Sequence, residues 1–262
     1  MTAEPTTLAL LFLLGTSTGL VSGIFGVGGG LLLVPALTLW DIPLAQATAT
    51  SLVGVLLSAI SGSVQNWWTG QLNLRAALQL ALFGIPAAQL GAWSGSRLPD
   101  AWLTPSFAVL LLVTIFFINL QQKVVLEPPL EPEKSESPTA IKSVARIGLI
   151  AGVISGLFGI GGGIIMVPLQ MLLMTQPIKA AVANSLGAMV AIAGSGLSQH
   201  AWRGDVLWIS GLCLGAGGVL GAQIGTRLLP ILPEKLVKRL FKLLLLILAL
   251  YMAGRSFGLT LG

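Results

Sequence analysis

Charged side chains are scarce in this chain of 262 residues. Only 9% are Asp, Glu, Lys or Arg, against about 25% in a typical soluble domain. So few charges cannot cover a water-facing surface, which excludes a soluble globular protein. Cysteine and histidine are scarcer still, with one of each. Cys213 alone excludes an internal disulfide, a zinc cluster or an iron–sulfur site. His200 alone excludes a multi-histidine metal site, so neither metal nor cofactor is expected. The nine acidic residues (Glu4, Asp41, Asp100, Glu127, Glu131, Glu133, Glu136, Asp205 and Glu234) fall in termini, turns or a central linker. Without a carboxylate in mid-span, the intramembrane proton relay used by many pumps is not expected. The net charge of +5 is no nucleic-acid footprint, because the basic residues are spread among loops and form no stripe.

What the chain has in quantity is apolar sequence. Hydrophobic residues make up 55% of it, the mean hydropathy is +0.91, and the apolar blocks reach the ~20 residues that a membrane-crossing helix needs. The expected fold class is an all-α polytopic membrane protein, with membrane lipid as its surroundings.

An internal repeat covers nearly the whole chain. Residues 23–37 read GIFGVGGGLLLVPAL and residues 156–170 read GLFGIGGGIIMVPLQ, with Pro35 and Pro168 in register. Further on, Ala49-Thr50-Ser51-Leu52 matches Ala183-Asn184-Ser185-Leu186, Gln65-Asn66 matches Gln199-His200, Trp68 matches Trp202, and Gly91-Ala92 matches Gly221-Ala222. Two homologous membrane repeats are therefore expected, over residues 1–122 and 144–262. Residues 123–143, rich in Pro and Glu, form a water-exposed linker between them. Residues 6–22 look like a signal peptide, but no basic residue precedes them, and their counterpart lies inside the chain. That segment is expected to be structural.

Each repeat contains a first apolar helix (6–24; 144–157), a glycine-rich break (25–30; 158–163), a short helix (31–40; 164–174) and three longer helices (43–68, 72–98, 101–122; 177–202, 205–229, 234–254). If the broken unit crosses the membrane once, the repeats are parallel and the loop cations divide 7 to 7 between the two sides. If it turns back as a hairpin, the repeats are inverted and the division is 11 to 3, as the positive-inside rule requires. Residues 6–40 as one helix would also run ~50 Å, well beyond a hydrocarbon core ~30 Å thick. The hairpin is preferred, with both termini outside and the linker in the cytoplasm. Trp40, Trp67, Trp68, Trp102, Trp202 and Trp208 sit near predicted span ends.

Irregular backbone at membrane depth is tolerated only where protein or a water-filled cavity satisfies it. A half-helix N-terminus there presents free N–H groups and the positive end of its dipole to an anion. The substrate-binding candidates are therefore Gly26, Gly28, Gly29 and Gly30 with Gly159, Gly161, Gly162 and Gly163, approaching one midplane anion from opposite sides. Thr50 and Ser51, with Asn184 and Ser185, are candidate hydrogen-bond donors or else bond back to the preceding turn. Gln65, Asn66, Gln199 and His200 are weaker polar candidates, read first as caps at the membrane interface. Glycines spaced by four at 91–95 and 217–225, the first set extended by Ala87, read as a small-residue packing face. No catalytic residue is expected, since an enzyme would need a nucleophile–base pair or metal ligands.

The doubled GxFGxGGG…P motif, strengthened by ATSL and ANSL, resembles the TauE/SafE family of sulfite-exporter-like permeases. The resemblance spans all but the linker. It implies a multi-pass transporter of the bacterial cytoplasmic membrane for a small sulfur-containing anion, such as sulfite or an organosulfonate. Export down the inside-negative potential, favoured by ~2.3 kcal/mol per charge per 100 mV, or facilitated transport fits the missing relay. An anion channel of the same architecture, or an importer coupled to Na⁺ or H⁺, remains open, as does the oligomeric state.

Overall fold

The computed structural model describes residues 5–98, 100–124 and 138–256, and helices are the only regular elements among them. They are α1 (Pro5–Phe25), α2 (Gly30–Leu39), α3 (Leu44–Trp68), α4 (Leu74–Gly95), α5 (Asp100–Val124), α6 (Pro138–Phe158), α7 (Gly163–Leu173), α8 (Ile178–Arg203), α9 (Trp208–Leu228) and α10 (Glu234–Ser256). An apolar run surrounded by lipid must satisfy its own backbone, and the helix does this within one segment. Proline sets several of the starts. Pro5 and Pro138 open α1 and α6, where a missing N–H costs nothing, and Pro43 and Pro177 precede α3 and α8. The helix bounds agree with the sequence reading to within three residues, with one larger difference. Helix α6 already begins at Pro138, so residues 138–143 of the expected linker are helical; residues 125–137 lie outside the described residues.

Among the described residues, six helices are long and apolar enough to cross a membrane: α1, α3, α4, α8, α9 and the stretch Ile141–Phe158 of α6. Helix α10 opens with five charged residues in its first nine, Glu234, Lys235, Lys238, Arg239 and Lys242, leaving its apolar part to the later turns. Outward faces carry large apolar side chains such as Leu82, Leu90, Ile209 and Leu220. That is the surface lipid requires and water would not tolerate. Trp202 is 92% exposed and Trp68 73%, both in the last turn of a long helix.

The packing groups the helices across the repeats. Helix α1 packs most extensively on α9 and α6 on α4, while α3 also packs on α9 and α8 on α4. Glycine faces make the two closest contacts. On α1, Gly15, Gly19 and Gly23 meet Leu214, Gly218 and Ala222. On α6, Gly148, Gly152 and Gly156 meet Leu80, Gly84 and Ala88. Residue numbers rise together along both pairs, so the members of each pair run the same way. The same holds for α3 with α9 (Val53 on Gly211, Leu57 on Gly215) and for α4 with α8 (Ala77 on Gly187, Gly84 on Ile192). Between α3 and α8 the order reverses: Leu52 meets Gly196, Leu56 meets Gly194, and Gly62 meets Leu186. The result is two bundles, α1–α3 with α9 and α6–α8 with α4, joined where α3 crosses α8.

A glutamine clip braces each bundle. Gln223 Nε2 donates to the Ser61 carbonyl at 3.0 Å, and the Ser61 hydroxyl donates to the Val219 carbonyl at 2.9 Å. At the matching positions Gln89 Nε2 donates to the Ser195 carbonyl at 2.8 Å, and the Ser195 hydroxyl to the Ile85 carbonyl at 3.1 Å.

Candidate functional site

Both glycine breaks lie at the buried centre, where α3 crosses α8. Gly26, Gly28 and Gly29 have φ of 68°, 80° and 72°, and Gly159, Gly161 and Gly162 repeat this with 69°, 79° and 78°. Gly29 and Gly162 are the N-caps of α2 and α7. At these two positions the left-handed φ reverses the chain, and a Cβ would strain it. Gly29 comes back against Thr18 of α1, and Gly162 against Ala151 of α6, so each break turns its short helix back along the helix before it. The first loop bonds of α2 are Leu32 and Leu33 N–H to the Gly29 carbonyl, at 3.0 and 3.1 Å. Ile165 and Met166 do the same on Gly162. The amides ahead of them have no acceptor within the helix.

The breaks meet each other backbone to backbone. The Gly26 carbonyl lies against Gly163, and the Gly159 carbonyl against Gly30. Val55 of α3 and Met189 of α8 flank the contact, each touching Gly28 and Gly161. All eight glycine candidates are thus brought together and buried. The first surface of contact is carbonyl on glycine, whereas the sequence analysis pictures amides facing a shared ion.

The polar candidates divide. Ser51 joins the break, its hydroxyl donating to the Gly159 carbonyl at 2.9 Å and the Thr48 carbonyl at 2.8 Å. Its counterpart Ser185 accepts from Gln170 Nε2 at 2.8 Å. Thr50 and Asn184 each brace the entry of a fourth helix. Thr50 Oγ1 accepts from the Leu207 amide at 3.1 Å, and Asn184 Oδ1 from the Asn73 amide at 2.9 Å. Leu207 and Asn73 are the N-caps of α9 and α4. Asn184 Nδ2 also donates to Gln176 Oε1 at 3.1 Å. Replacing Thr50 by Val and Asn184 by Leu is expected to cost about 1 kcal/mol each, read as a lower Tm in detergent, with anion affinity changed less than two-fold.

Gln65, Asn66, Gln199 and His200 are not part of the central cluster. Asn66 and His200 lie eleven residues, or ~16 Å of helix, beyond Val55 and Met189. The Asn66 carbonyl accepts from the Gln71 and Leu72 amides at 2.9 and 3.1 Å, shaping the turn into α4. His200 Nε2 is 3.4 Å from the Gly156 carbonyl, and its Nδ1 is 3.6 Å from Asp205 Oδ2. Both turns close α3 and α8 at their ends.

Sequence reasoning missed Ser22 and Ser155. Each is 0% exposed, lies four residues before the first glycine of a break, and has a hydroxyl without a hydrogen-bond partner. The signal was present: extending the repeated block back by one residue gives Ser-Gly in both halves. Gln170 is also fully buried with an unpartnered Oε1, and its counterpart in the first repeat is Leu37. Among the described residues, no group of three or more His, Cys, Asp or Glu is placed to hold a metal.

Six helices of spanning length, apolar outward faces and a buried pair of half-helix starts define a multi-pass membrane protein of transporter type. The sequence matches the model of the sulfite exporter TauE/SafE family over residues 11–252, and the chain belongs to that family. It is 24% identical to the probable membrane transporter protein YunE of Bacillus subtilis, with 91% of this chain and 94% of the relative covered. It is 28% identical to a probable membrane transporter protein of Xylella fastidiosa, with 93% and 94% covered. The probable membrane transporter protein MJ0441 of Methanocaldococcus jannaschii is 26% identical, over 74% of this chain and 72% of its own length. No solved structure matches the chain.

Proposed function

We propose that the protein carries a small sulfur-containing oxyanion, sulfite or an organosulfonate, outward across the bacterial cytoplasmic membrane, and that the two half-helix starts hold it at mid-depth. The observation that carries this reading is the meeting of two left-handed glycine breaks at the buried centre. Short helices with free leading amides and positive dipole ends start there. Among the described residues, no Asp, Glu, Lys or Arg is buried there to compete for the ion. The antiparallel run of α3 and α8, helices at equivalent places in the two repeats, supports an inverted relation between the halves. With the loop charges it favours termini outside and the linker in the cytoplasm. The backbone contact between the breaks corresponds to a closed state. Rocking of one bundle against the other parts them and opens room for the ion, as in other inverted-repeat carriers.

The test is a thermal-shift screen of the purified protein with sulfite, thiosulfate, sulfate, taurine, sulfoacetate and chloride. A flux assay follows in proteoliposomes of set membrane potential. A sulfur oxyanion at a hundred times its Kd adds about 2.7 kcal/mol of stability. Its flux should saturate, show counter-transport, and speed up when its own side is made negative. A response to chloride alone, or single-channel currents, would overturn the reading.

A further inference from the structure

We infer that the hydroxyls of Ser22 and Ser155 complete two matched oxyanion cradles, one under each glycine break; this rests on the anion-carrier reading above. Many helical hydroxyls have a local acceptor, and the buried hydroxyl of Ser63, like those of Ser22 and Ser155, has none. Thr16 donates to Phe12, Ser17 to Leu13, Thr18 to Gly15, Ser58 to Gly54 and Ser106 to Trp102, all backbone carbonyls three or four residues back. Ser22 and Ser155 make no such bond although both are 0% exposed. A buried hydroxyl without a partner is costly. Here the cost appears twice, at equivalent positions of the repeats.

The backbone fixes where these side chains point. On α1, Leu11, Thr18, Ser22 and Phe25 share one buried face beside the glycine row that meets α9. Gly29 comes back against Thr18, and the Gly26 amide donates to the Ser22 carbonyl at 2.7 Å. Ser22 therefore lies between those two points, on the face that its own break covers. On α6 the same face carries Val144, Ala151, Ser155 and Phe158. Gly162 comes back against Ala151, and the Gly159 amide donates to the Ser155 carbonyl at 2.9 Å. Each serine sits on the helix face over which the loop leading into α2 or α7 returns. Amides on one side and a hydroxyl on the other suit a ligand with several acceptor oxygens around one centre, such as sulfite or a sulfonate headgroup. A halide is a single small acceptor atom and offers these donors no separate oxygens to engage.

The experiment uses the full chain in detergent, comparing wild type, S22A, S155A and the double variant, with sulfite and methanesulfonate as oxyanion probes and chloride as control. Removing an unpartnered buried hydroxyl should raise the Tm of the ligand-free protein. At the same time the double variant should bind the oxyanions roughly ten- to a hundred-fold more weakly, each single variant less so, and chloride binding should not move. Unchanged oxyanion affinity with wild-type binding intact would overturn the serine assignment and leave the carrier reading standing. A lower Tm in the double variant would mark the hydroxyls as structural and would also overturn it. If the wild type binds neither oxyanion, the carrier reading falls and the cradles with it.

Discussion

On the proposed carrier reading, valine at both Gly29 and Gly162 is expected to reduce sulfur-oxyanion flux in proteoliposomes to below about a tenth of wild type, with Gly162→Val the more damaging of the two single changes. A left-handed φ costs a residue with a Cβ about 1–2 kcal/mol, and β-branching adds to this. The local space separates the two sites. A Cβ at Gly29 would sit 3.2 Å from the Thr18 carbonyl oxygen, a distance that a small shift can relieve. At Gly162 it would sit 2.5 Å from the Ala151 carbonyl oxygen, and backbone must move. Displacing either cap turns the leading amides of α2 or α7 away from the centre, so transport falls before the fold does. A monodisperse double variant in detergent that carries the anion at the wild-type rate would remove the breaks from the mechanism.

Leucine at Gly221 prevents assembly of the fold. Gly221 faces the Thr16 carbonyl and Leu20 amide of α1, and Gly217 and Gly225 face the Phe12 and Leu20 carbonyls in the same groove. A Cβ at 221 would overlap the Thr16 carbonyl oxygen, so α9 would have to withdraw from α1 along its length. Overpacking of a fitted interface costs about 1–3 kcal/mol where side chains can adjust, and here the obstacle is backbone. The expected result is an aggregated elution profile in detergent. Two comparisons isolate the cause. Leu220→Ala, on the lipid-facing side, should elute as wild type. Gly204→Ala, at φ 77° with nothing within 4 Å of its Cβ, should lose only about 1 kcal/mol through strain. A monodisperse Gly221→Leu protein with wild-type Tm would show that the groove does not govern assembly.

Much of this arrangement is legible in the chain. The breaks are legible to within one residue, because two copies of one glycine pattern in register leave little freedom, and the glycine rows at 91–95 and 217–225 do pack as small-residue faces. Their complements at 15, 19, 23 and at 148, 152, 156 have the same spacing of four and were equally readable. Thr50 and Asn184 were harder. Their partners lie 157 and 111 residues away in sequence, and no local pattern reports a capping bond made in another helix pair. The glutamine clips were hidden for the same reason. Ser22 and Ser155 are not distinguishable in sequence from any small hydroxyl beside a glycine, and only burial without a partner sets them apart.

The sequence repeats and the packed bundles are not the same objects. Helix α9 is encoded in the second repeat yet nests with α1 and α3, while α4 of the first repeat nests with α6 and α8. Neither repeat alone retains the partner that its opening helix requires. A nick anywhere in residues 125–137 would sever the thread and leave the two pieces interlaced. On the carrier reading, any bodies that rock against one another are each drawn from both repeats.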